Sequence, residues 1–461
     1  MRLRCLRKGA LLLASPIVSG NPSVQFASYG LIIRRSWPII LANSATPLLG
    51  LADTAVIGRT ASIASLGAIA LGSLIFSFVY WTFGFLRMGT TGMIAQAVGS
   101  GDEVEAQAIT GRSILLAVVI GTVLILLQIP IFHFALSLLS GSPEVEDLAR
   151  DYLSIRIWGA PATLTTYTLM GVLIGLGRSR TLLGIQIFLN SLNIALDVLL
   201  AGYFGMGVVG IGLGTMIAEW SSAILALYLT VKILKNRSQE SDPFWSWSLV
   251  LNTRKIIQMV IVNGNIMIRT LCLLLGFGWF TQQGARLGEV TLAANHILLQ
   301  FISFSAFFLD GIAYATEALV GVAAGSRKLD VFKIIVRKTS VLAGVTAFLL
   351  SLGLLILGPF ATNALTNLEL ARQSSIAMLP FASLYVSLSF VAFQLDAIFI
   401  GTTRTRDMRN AALASLAIFI AIGWPLTNTF ANTGLWISFI VFIIVRAATL
   451  GTLYPRLKRS I

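Results

Sequence analysis

The chain has 461 residues, of which 56% are hydrophobic and only 11% are charged, and its mean hydropathy is +0.86. These values exclude an ordinary soluble domain and indicate an integral membrane protein. The net charge of +14 would suit a nucleic-acid-binding protein, but the basic residues are concentrated in alternate loops, which argues against a nucleic-acid partner.

The first segment in chain order, residues 1–30, is basic and then apolar, so it superficially resembles a signal peptide. A cleaved leader would place Ser36 outside and invert the charge pattern of the loops, so we expect a cytoplasmic tail instead. From Trp37 to Tyr454, apolar stretches of about 20 residues recur, the length that crosses about 30 Å of hydrocarbon. They predict an all-α bundle of about twelve transmembrane helices, near residues 36–58, 67–97, 107–133, 148–177, 181–202, 207–231, 256–282, 290–325, 339–360, 373–401, 410–430 and 434–454.

The sequence repeats itself at an offset of 226 residues. Each repeat contains an even number of spans, so the two halves have the same orientation in the bilayer. The repeat predicts two six-helix lobes, related by a pseudo-twofold axis along the membrane normal, around a central cavity. The aligned pairs include Ser65–Ala68 with Thr291–Ala294, Gly99 with Gly325, Gly175 with Gly401, Arg178 with Arg404 and Arg180 with Arg406.

The domain organisation expected from this repeat is two lobes joined by a polar linker. Lys and Arg are concentrated in the linker and in the loops on its side, so the positive-inside rule places both termini in the cytoplasm. The aromatic cluster Phe244–Trp247 of the linker is expected at headgroup level, with a partner-binding motif as the alternative. The predicted segments are a tail at 1–30, the N-lobe at 31–233, the linker at 234–254, the C-lobe at 255–455 and a second tail at 456–461.

Charged residues inside the spans are the candidates for function, because each costs roughly 2.5 to 3.5 kcal/mol at a helix centre. The acids outnumber the arginines, so some acids are expected to be protonated or to face a wet cavity, as where cations or protons are handled. The acids are Asp53, Asp197, Glu219, Asp310, Glu317 and Asp396, and the arginines are Arg87, Arg269 and Arg446.

In the first lobe, two places combine a carboxylate with a polar neighbour. Asp53 lies late in the first span with no basic residue nearer than Arg59, which favours a proton-coupling role over a structural cap. Asn193 and Asp197 are four residues apart and share one face of the fifth span. An amide beside a carboxylate suits a cation, and a polar stripe that joins neighbouring helices is the alternative.

In the second lobe, Asp310 and Glu317 are seven residues apart and lie on one stripe of the eighth span. One of them is a possible partner of Arg269, and for both acids, as for Glu219, a structural ion pair and a transport role are equally open. Asp396 is a further functional candidate, because the first repeat carries Met170 at the equivalent position.

Enzyme signatures are absent from the sequence: it contains no HExxH, no GxSxG and no Walker A motif. We therefore expect neither an enzyme nor a cofactor, and no resident metal. Without a phosphate-binding loop, energy is expected from an ion gradient or from the gradient of the solute itself.

Several segments together resemble the multidrug and toxic compound extrusion (MATE) family, in particular its DinF-type branch. The likeness extends over residues 31–455. The segments that carry it are Leu51–Gly58, Gly67–Gly72, Phe85–Gly92, Asp310–Gly325 and Gln394–Gly401.

The resemblance implies a monomeric, multi-pass transporter of the bacterial inner membrane that exports cationic amphipathic compounds by alternating access, in exchange for protons or sodium. By the same resemblance, Asp53 is central to coupling, and Asn193, Asp197 and Thr215 complete its site. Some relatives carry an Asn in the fourth span where this chain has Tyr167 or Met170, which favours protons over sodium.

The sequence leaves two alternatives to a proton-coupled exporter open. One is a sodium-coupled exporter with Na⁺ held by Asp53, Asn193, Asp197 and Thr215. The other is a flippase for a lipid-linked precursor. A flippase would need basic residues for a pyrophosphate, whereas this chain has an excess of intramembrane acids.

Overall fold

The structure is a computed structural model that describes residues 28–45, 56, 62–139, 142–237 and 245–461. Within those residues the chain is helical and contains no β-strand. Short polar side chains begin several helices: Ser62 Oγ accepts from the Ser65 amide, and Asp102 Oδ1 accepts from the Glu105 amide at 2.8 Å. Such caps satisfy amide groups that lack a partner within the helix.

Among the described residues, the first half of the chain contains nine α-helices and two other helical segments. A 3₁₀ turn, Ile157–Gly159, separates α6 from α7, and a π-helix, Val198–Tyr203, follows α8. The helices are α1 (Tyr29–Ser44), α2 (Ile63–Thr82), α3 (Phe85–Ser100), α4 (Glu103–Leu126), α5 (Gln128–Leu139), α6 (Pro143–Arg156), α7 (Ala160–Gly175), α8 (Ser179–Asp197) and α9 (Gly207–Lys235).

Most helices of the second half are longer than those of the first half. The last of them is two helices joined at Ala431, whose backbone is non-helical with φ 50° and ψ −131°. The helices are α10 (Trp247–Val250), α11 (Thr253–Arg286), α12 (Glu289–Gly325), α13 (Leu329–Leu365), α14 (Glu369–Gly401) and α15 (Thr405–Arg459).

Ten helical segments of the described residues are long and apolar enough to cross a membrane. One of these, α15, counts twice because of its break at Ala431, and α1 is the described part of the first span. Together they make the twelve spans in two lobes that the sequence predicts. The structure also divides single spans: α2 and α3 are separated at Phe83 and Gly84.

Each lobe has its own apolar core. In the first lobe the core includes Phe76, Tyr152 and Leu164, of which Tyr152 and Leu164 are completely buried. In the second lobe, aromatic rings dominate: the centroids of Phe280 and Trp436 are 5.0 Å apart in an edge-to-face arrangement. The first-lobe core also includes Val262 and Ile266 of α11, so apolar packing crosses between the lobes at that helix.

The repeat seen in the sequence reappears in the backbone. Gly101 and Arg327, which are 226 residues apart, both have left-handed φ angles, of 76° and 53°. Gly177 and Thr403, separated by the same offset, have φ angles of 70° and 55°. All four residues follow helices that end in the same way, so the turn geometry is kept even where the second repeat lacks glycine. We name the end of the bundle formed by turns 101–102, 176–178, 326–328 and 402–404 the arginine-rich end.

Near this end the lobes meet in a contact that follows the same symmetry. A Cβ atom on Gly99 of α3 would overlap the carbonyl oxygen of Val322 in α12, and one on Gly325 would overlap that of Gln96. Gln96 and Val322 are themselves related by the repeat. Only glycine allows two helix backbones to approach this closely. We name these four residues the glycine seam.

The structure places one ring of the linker's aromatic cluster on the first lobe. Trp245 is half-buried, and its amide donates to Gln107 Oε1 of α4 at 3.5 Å, so this ring packs on the first lobe, whereas Trp247 is 67% exposed. Phe244 lies outside the described residues.

Candidate functional site

The polar residues predicted in the fifth span are buried together in the first lobe. Asn193 and Asp197 of α8 are both completely buried, and Asn193 Nδ2 donates to Asp197 Oδ2. On the neighbouring α9, a Cβ atom on Gly214 would lie 2.6 Å from Asp197 Oδ1, so a larger residue there would displace the carboxylate. Thr215, the next residue, is 2% exposed, and its hydroxyl donates to the Ile211 carbonyl at 2.9 Å. The structure therefore places Asn193 and Asp197 at a contact between α8 and α9, and Thr215 is the residue after Gly214 on α9.

Asp53, the first-span acid, lies outside the described residues, so its position relative to Asp197 stays a prediction. The described part of the first span does contact the fifth: Asn190 Nδ2 donates to the carbonyl of Ala45, the residue that ends α1, at 3.3 Å. The fifth span therefore contacts the first span at Ala45, directly before residues 46–55, which lie outside the described residues.

A π-helix at Val198–Tyr203 begins directly after Asp197, and sequence reasoning missed it. Its wider turn is marked by the hydrogen bond from the Phe204 amide to the Leu199 carbonyl, at 3.0 Å. Such π segments interrupt helices mostly at functional sites, because they re-aim neighbouring side chains. The run Val198–Tyr203 contains no residue type that would have predicted it.

A second buried acid of the first lobe is Glu219, on α9. Its Oε1 is 3.9 Å from Arg156 Nη2, a loose ion pair, and the Arg156 guanidinium lies 4.8 Å from the centre of the Phe76 ring. Tyr167 lies in the same buried region and packs against the first-lobe core, whereas Met170 packs in a separate apolar cluster. For Glu219 this arrangement supports the structural alternative.

In the second lobe, Asp396 lies between two arginines. Arg269 Nη2 of α11 and Arg446 Nη2 of α15 both donate to its Oδ2, the latter at 2.7 Å. All three residues are at least 90% buried. Arg269 therefore pairs with Asp396, and not with either acid of the eighth span as the sequence suggested. Spacing along one helix could not reveal this cluster, because its three members come from three different spans.

A buried ion pair also joins the two lobes. Arg87 Nη1 of α3 donates to Glu317 Oε2 of α12 at 3.0 Å, and both side chains are at least 90% buried. The Arg87 guanidinium also lies 3.6 Å from the centre of the Tyr314 ring, one turn away on α12. Sequence reasoning named Glu317 but not its partner or this ring.

Asp310, one turn further along α12, is half-buried and has no hydrogen bond or ion pair among the described residues. The acids and arginines of this region balance, three against three. The acids are Asp310, Glu317 and Asp396, and the arginines are Arg87, Arg269 and Arg446.

Comparison with known proteins identifies the family. The MatE family model matches residues 38–199 and 266–425. DNA damage-inducible protein F of Escherichia coli (strain K12) is 36% identical over 432 residues, covering 92% of this chain and 91% of that protein. The chain belongs to the MATE family.

Other MATE relatives agree over nearly the full length. A probable multidrug resistance protein NorM of Agrobacterium fabrum is 25% identical over 474 residues, covering 95% of this chain and 96% of that protein. A solved MATE structure in the bent conformation has a TM-score of 0.84 at 19% identity, covering 96% of this chain and 99% of that chain. A MATE transporter in the outward-facing conformation has a TM-score of 0.82, also at 19% identity and with the same coverage.

These comparisons confirm the predicted family and the all-α, two-lobe membrane fold. As a MATE protein, the chain is a multi-pass membrane transporter of the multidrug efflux type. The roles assigned to Asp53, Asn193, Asp197, Thr215 and the second-lobe residues stay predictions.

Proposed function

We propose that this MATE protein exports cationic amphipathic compounds in exchange for protons, with the arginine-rich end facing the cytoplasm. The observation that carries the choice of protons is in the fourth span. There Tyr167 and Met170, both packed among apolar side chains, stand where some relatives carry an Asn, so this chain lacks an amide oxygen of the kind that hard cations prefer as a ligand.

An apolar cavity of about 690 Å³ between the lobes supports an amphipathic cargo. It lies between α2 of the first lobe and α11 and α15 of the second. Aromatic rings from both lobes, Phe78 and Trp279, contribute to its wall. Aromatic faces attract organic cations, and apolar walls bury the rest of such a molecule.

Alternating access is supported by the glycine seam, which closes the space between the lobes near the arginine-rich end. Gln96 Nε2 reinforces it from the first lobe by donating to the Gly401 carbonyl at 2.9 Å. Reopening at this end requires the seam to separate while each lobe core stays packed. Arg87, Arg269 and Arg446 are all paired with acids, which favours an exporter over a flippase that must hold a pyrophosphate.

The proposal predicts how reconstituted protein responds to ion gradients. In proteoliposomes loaded with a fluorescent lipophilic cation such as ethidium, an opposing proton gradient should drive release of the dye, and a protonophore should stop it. A sodium gradient at constant pH should have no effect. Release driven by sodium and insensitive to the protonophore would instead support the sodium-coupled alternative.

The orientation makes a separate prediction. Single cysteines at exposed Lys328 and Arg406, in a variant lacking Cys5 and Cys272, should be protected from a membrane-impermeant thiol reagent in intact cells. Cysteines at exposed Glu144 and Asn367 should react. The opposite pattern would invert the orientation argued from the loop charges. Labelling after permeabilisation is the control for reactivity.

A further inference from the structure

The Arg87–Glu317 pair does not belong to the symmetric framework of the two lobes. The repeat places Ala313 at the counterpart of Arg87 and Thr91 at the counterpart of Glu317. The glycine seam, by contrast, is built from repeat-related residues and backbone contacts. A buried charged pair that crosses the lobe interface in one copy only is costly to desolvate, which makes a purely structural role a poor explanation.

The surroundings of Arg87 form a row of sites along α12. Asp310, Tyr314 and Glu317 are spaced by four and three residues, so they share one face of the helix. The guanidinium binds Glu317 at one end of the row and stacks on Tyr314 in the middle, while Asp310 at the other end has no direct partner among the described residues. Arg87 Nη2 is buried without a hydrogen bond to any described residue, so the guanidinium has a donor to spare.

We propose that Arg87 is the positioning residue that couples the movement of the lobes, by exchanging between Glu317 and Asp310. It pairs with Glu317 while the arginine-rich end is closed, and it moves across the Tyr314 ring to Asp310 when that end opens. The two carboxylates are about 10 Å apart along the helix axis, a distance that relative motion of α3 and α12 together with a swing of the long Arg side chain covers. The aromatic face supports the cation between the two positions, where neither carboxylate can bind it.

This inference rests on the alternating access included in the proposed function. It predicts that Glu317 and Asp310 have opposite effects on the arginine-rich end. Glu317 stabilises the closed state, so Glu317→Gln should open the arginine-rich end. Asp310 stabilises the open state, so Asp310→Asn should keep that end closed. Two acids that merely held the interface together would both loosen it when removed.

The populations of the open and closed states can be measured with spin labels at Arg180 and Arg406. These are exposed, repeat-related residues at the arginine-rich end of the two lobes. Both positions are replaced by cysteine in a variant lacking Cys5 and Cys272, and the protein is reconstituted in nanodiscs. Double electron–electron resonance then gives the distribution of distances between the lobes. Relative to the labelled parent, Glu317→Gln should raise the ratio of long to short distances by at least about fivefold, and Asp310→Asn should lower it by a similar factor.

Two further variants keep the test decisive. Glu219→Gln removes a buried acid that lies within one lobe, and it should leave the distance distribution unchanged. The exchanged pair Arg87→Glu with Glu317→Arg keeps an ion pair in the closed state but sets two acids against each other in the open state, so it should favour short distances, as Asp310→Asn does. The exchanged pair also shows whether loss of folding explains a single variant.

A shift of Glu317→Gln and Asp310→Asn in the same direction, or no shift in either, would overturn the exchange of Arg87. A parent protein that shows one distance at every pH and with saturating ethidium would instead contradict alternating access itself. The two failures are therefore distinguishable. The measurement needs no transport activity, so it does not depend on the identity of the cargo.

Discussion

Replacing Asp53 with Asn should abolish proton-driven export while leaving the protein folded and inserted. The amide has nearly the shape of the carboxyl group but cannot gain or lose a proton, so it fixes this position in a neutral state. An ionised acid favours a bound organic cation, and a proton removes that attraction. Proton and cargo therefore weaken each other's binding by the same factor, and loss of one partner of this coupling removes the exchange.

The measurement is ethidium release and the accompanying pH change in proteoliposomes between about pH 6 and 8, around the range in which a coupling acid must change charge. Asp53→Glu, which keeps a carboxyl group, is the matched control and should retain part of the activity. The thermal midpoint of Asp53→Asn should stay close to that of the parent, because a neutral amide is easier to bury than a charge. Full pH-dependent exchange by Asp53→Asn would place the coupling site elsewhere, with Asp310 and Asp396 as the next candidates.

The sequence predicted the features that follow from composition and periodicity. The number of spans follows from the length of apolar stretches, and the lobe symmetry follows from the fixed offset between Gly99 and Gly325 or between Gly175 and Gly401. These relations survive in the structure because they are properties of the backbone. Even the left-handed turn at Thr403, where the sequence lacks glycine, repeats the geometry of Gly177.

The pairing of charges could not be predicted in the same way. A sequence shows that Arg269 and Asp396 are inside spans, but it does not show how each helix is rotated or which helices are adjacent. The Arg87–Glu317 pair crosses 230 residues and two lobes, so no local spacing points to it. Repeat comparison does single out Arg87, since its counterpart is Ala313, and a charge present in one repeat only is a signal that could have been used.

The π-helix after Asp197 and the packing of Trp245 on α4 were missed for a related reason. Both depend on how the neighbouring helices pack against these residues. The residues Val198–Tyr203 are ordinary for a transmembrane helix, and Trp is as suitable for a headgroup layer as for a protein surface. The position of Asp53 is a different case, since it lies outside the described residues and its role still rests on sequence.

Asp396→Asn should have the second large effect, but on stability more than on coupling. Asp396 is the direct partner of two buried arginines, Arg269 and Arg446, and an amide cannot balance either charge. Removing one partner of a buried ion pair leaves an uncompensated charge and typically costs about 3 to 5 kcal/mol. The variant should therefore unfold at a clearly lower temperature than the parent, and lower amounts should reach the membrane.

Stability and transport roles of Asp396 can be separated by removing the arginines with it. If the acid is needed only to balance charge, replacing the whole cluster with Asp396→Leu, Arg269→Met and Arg446→Leu should recover most of the thermal midpoint, because well-packed apolar groups can replace a buried ion cluster. Ethidium export should recover with it. A triple variant that is as stable as the parent but inactive would show that the cluster takes part in transport, as the absence of a carboxylate at Met170 in the first repeat suggests. A stable Asp396→Asn protein would contradict the charge-balance argument, because it would mean that the two guanidinium groups find other partners or reach water.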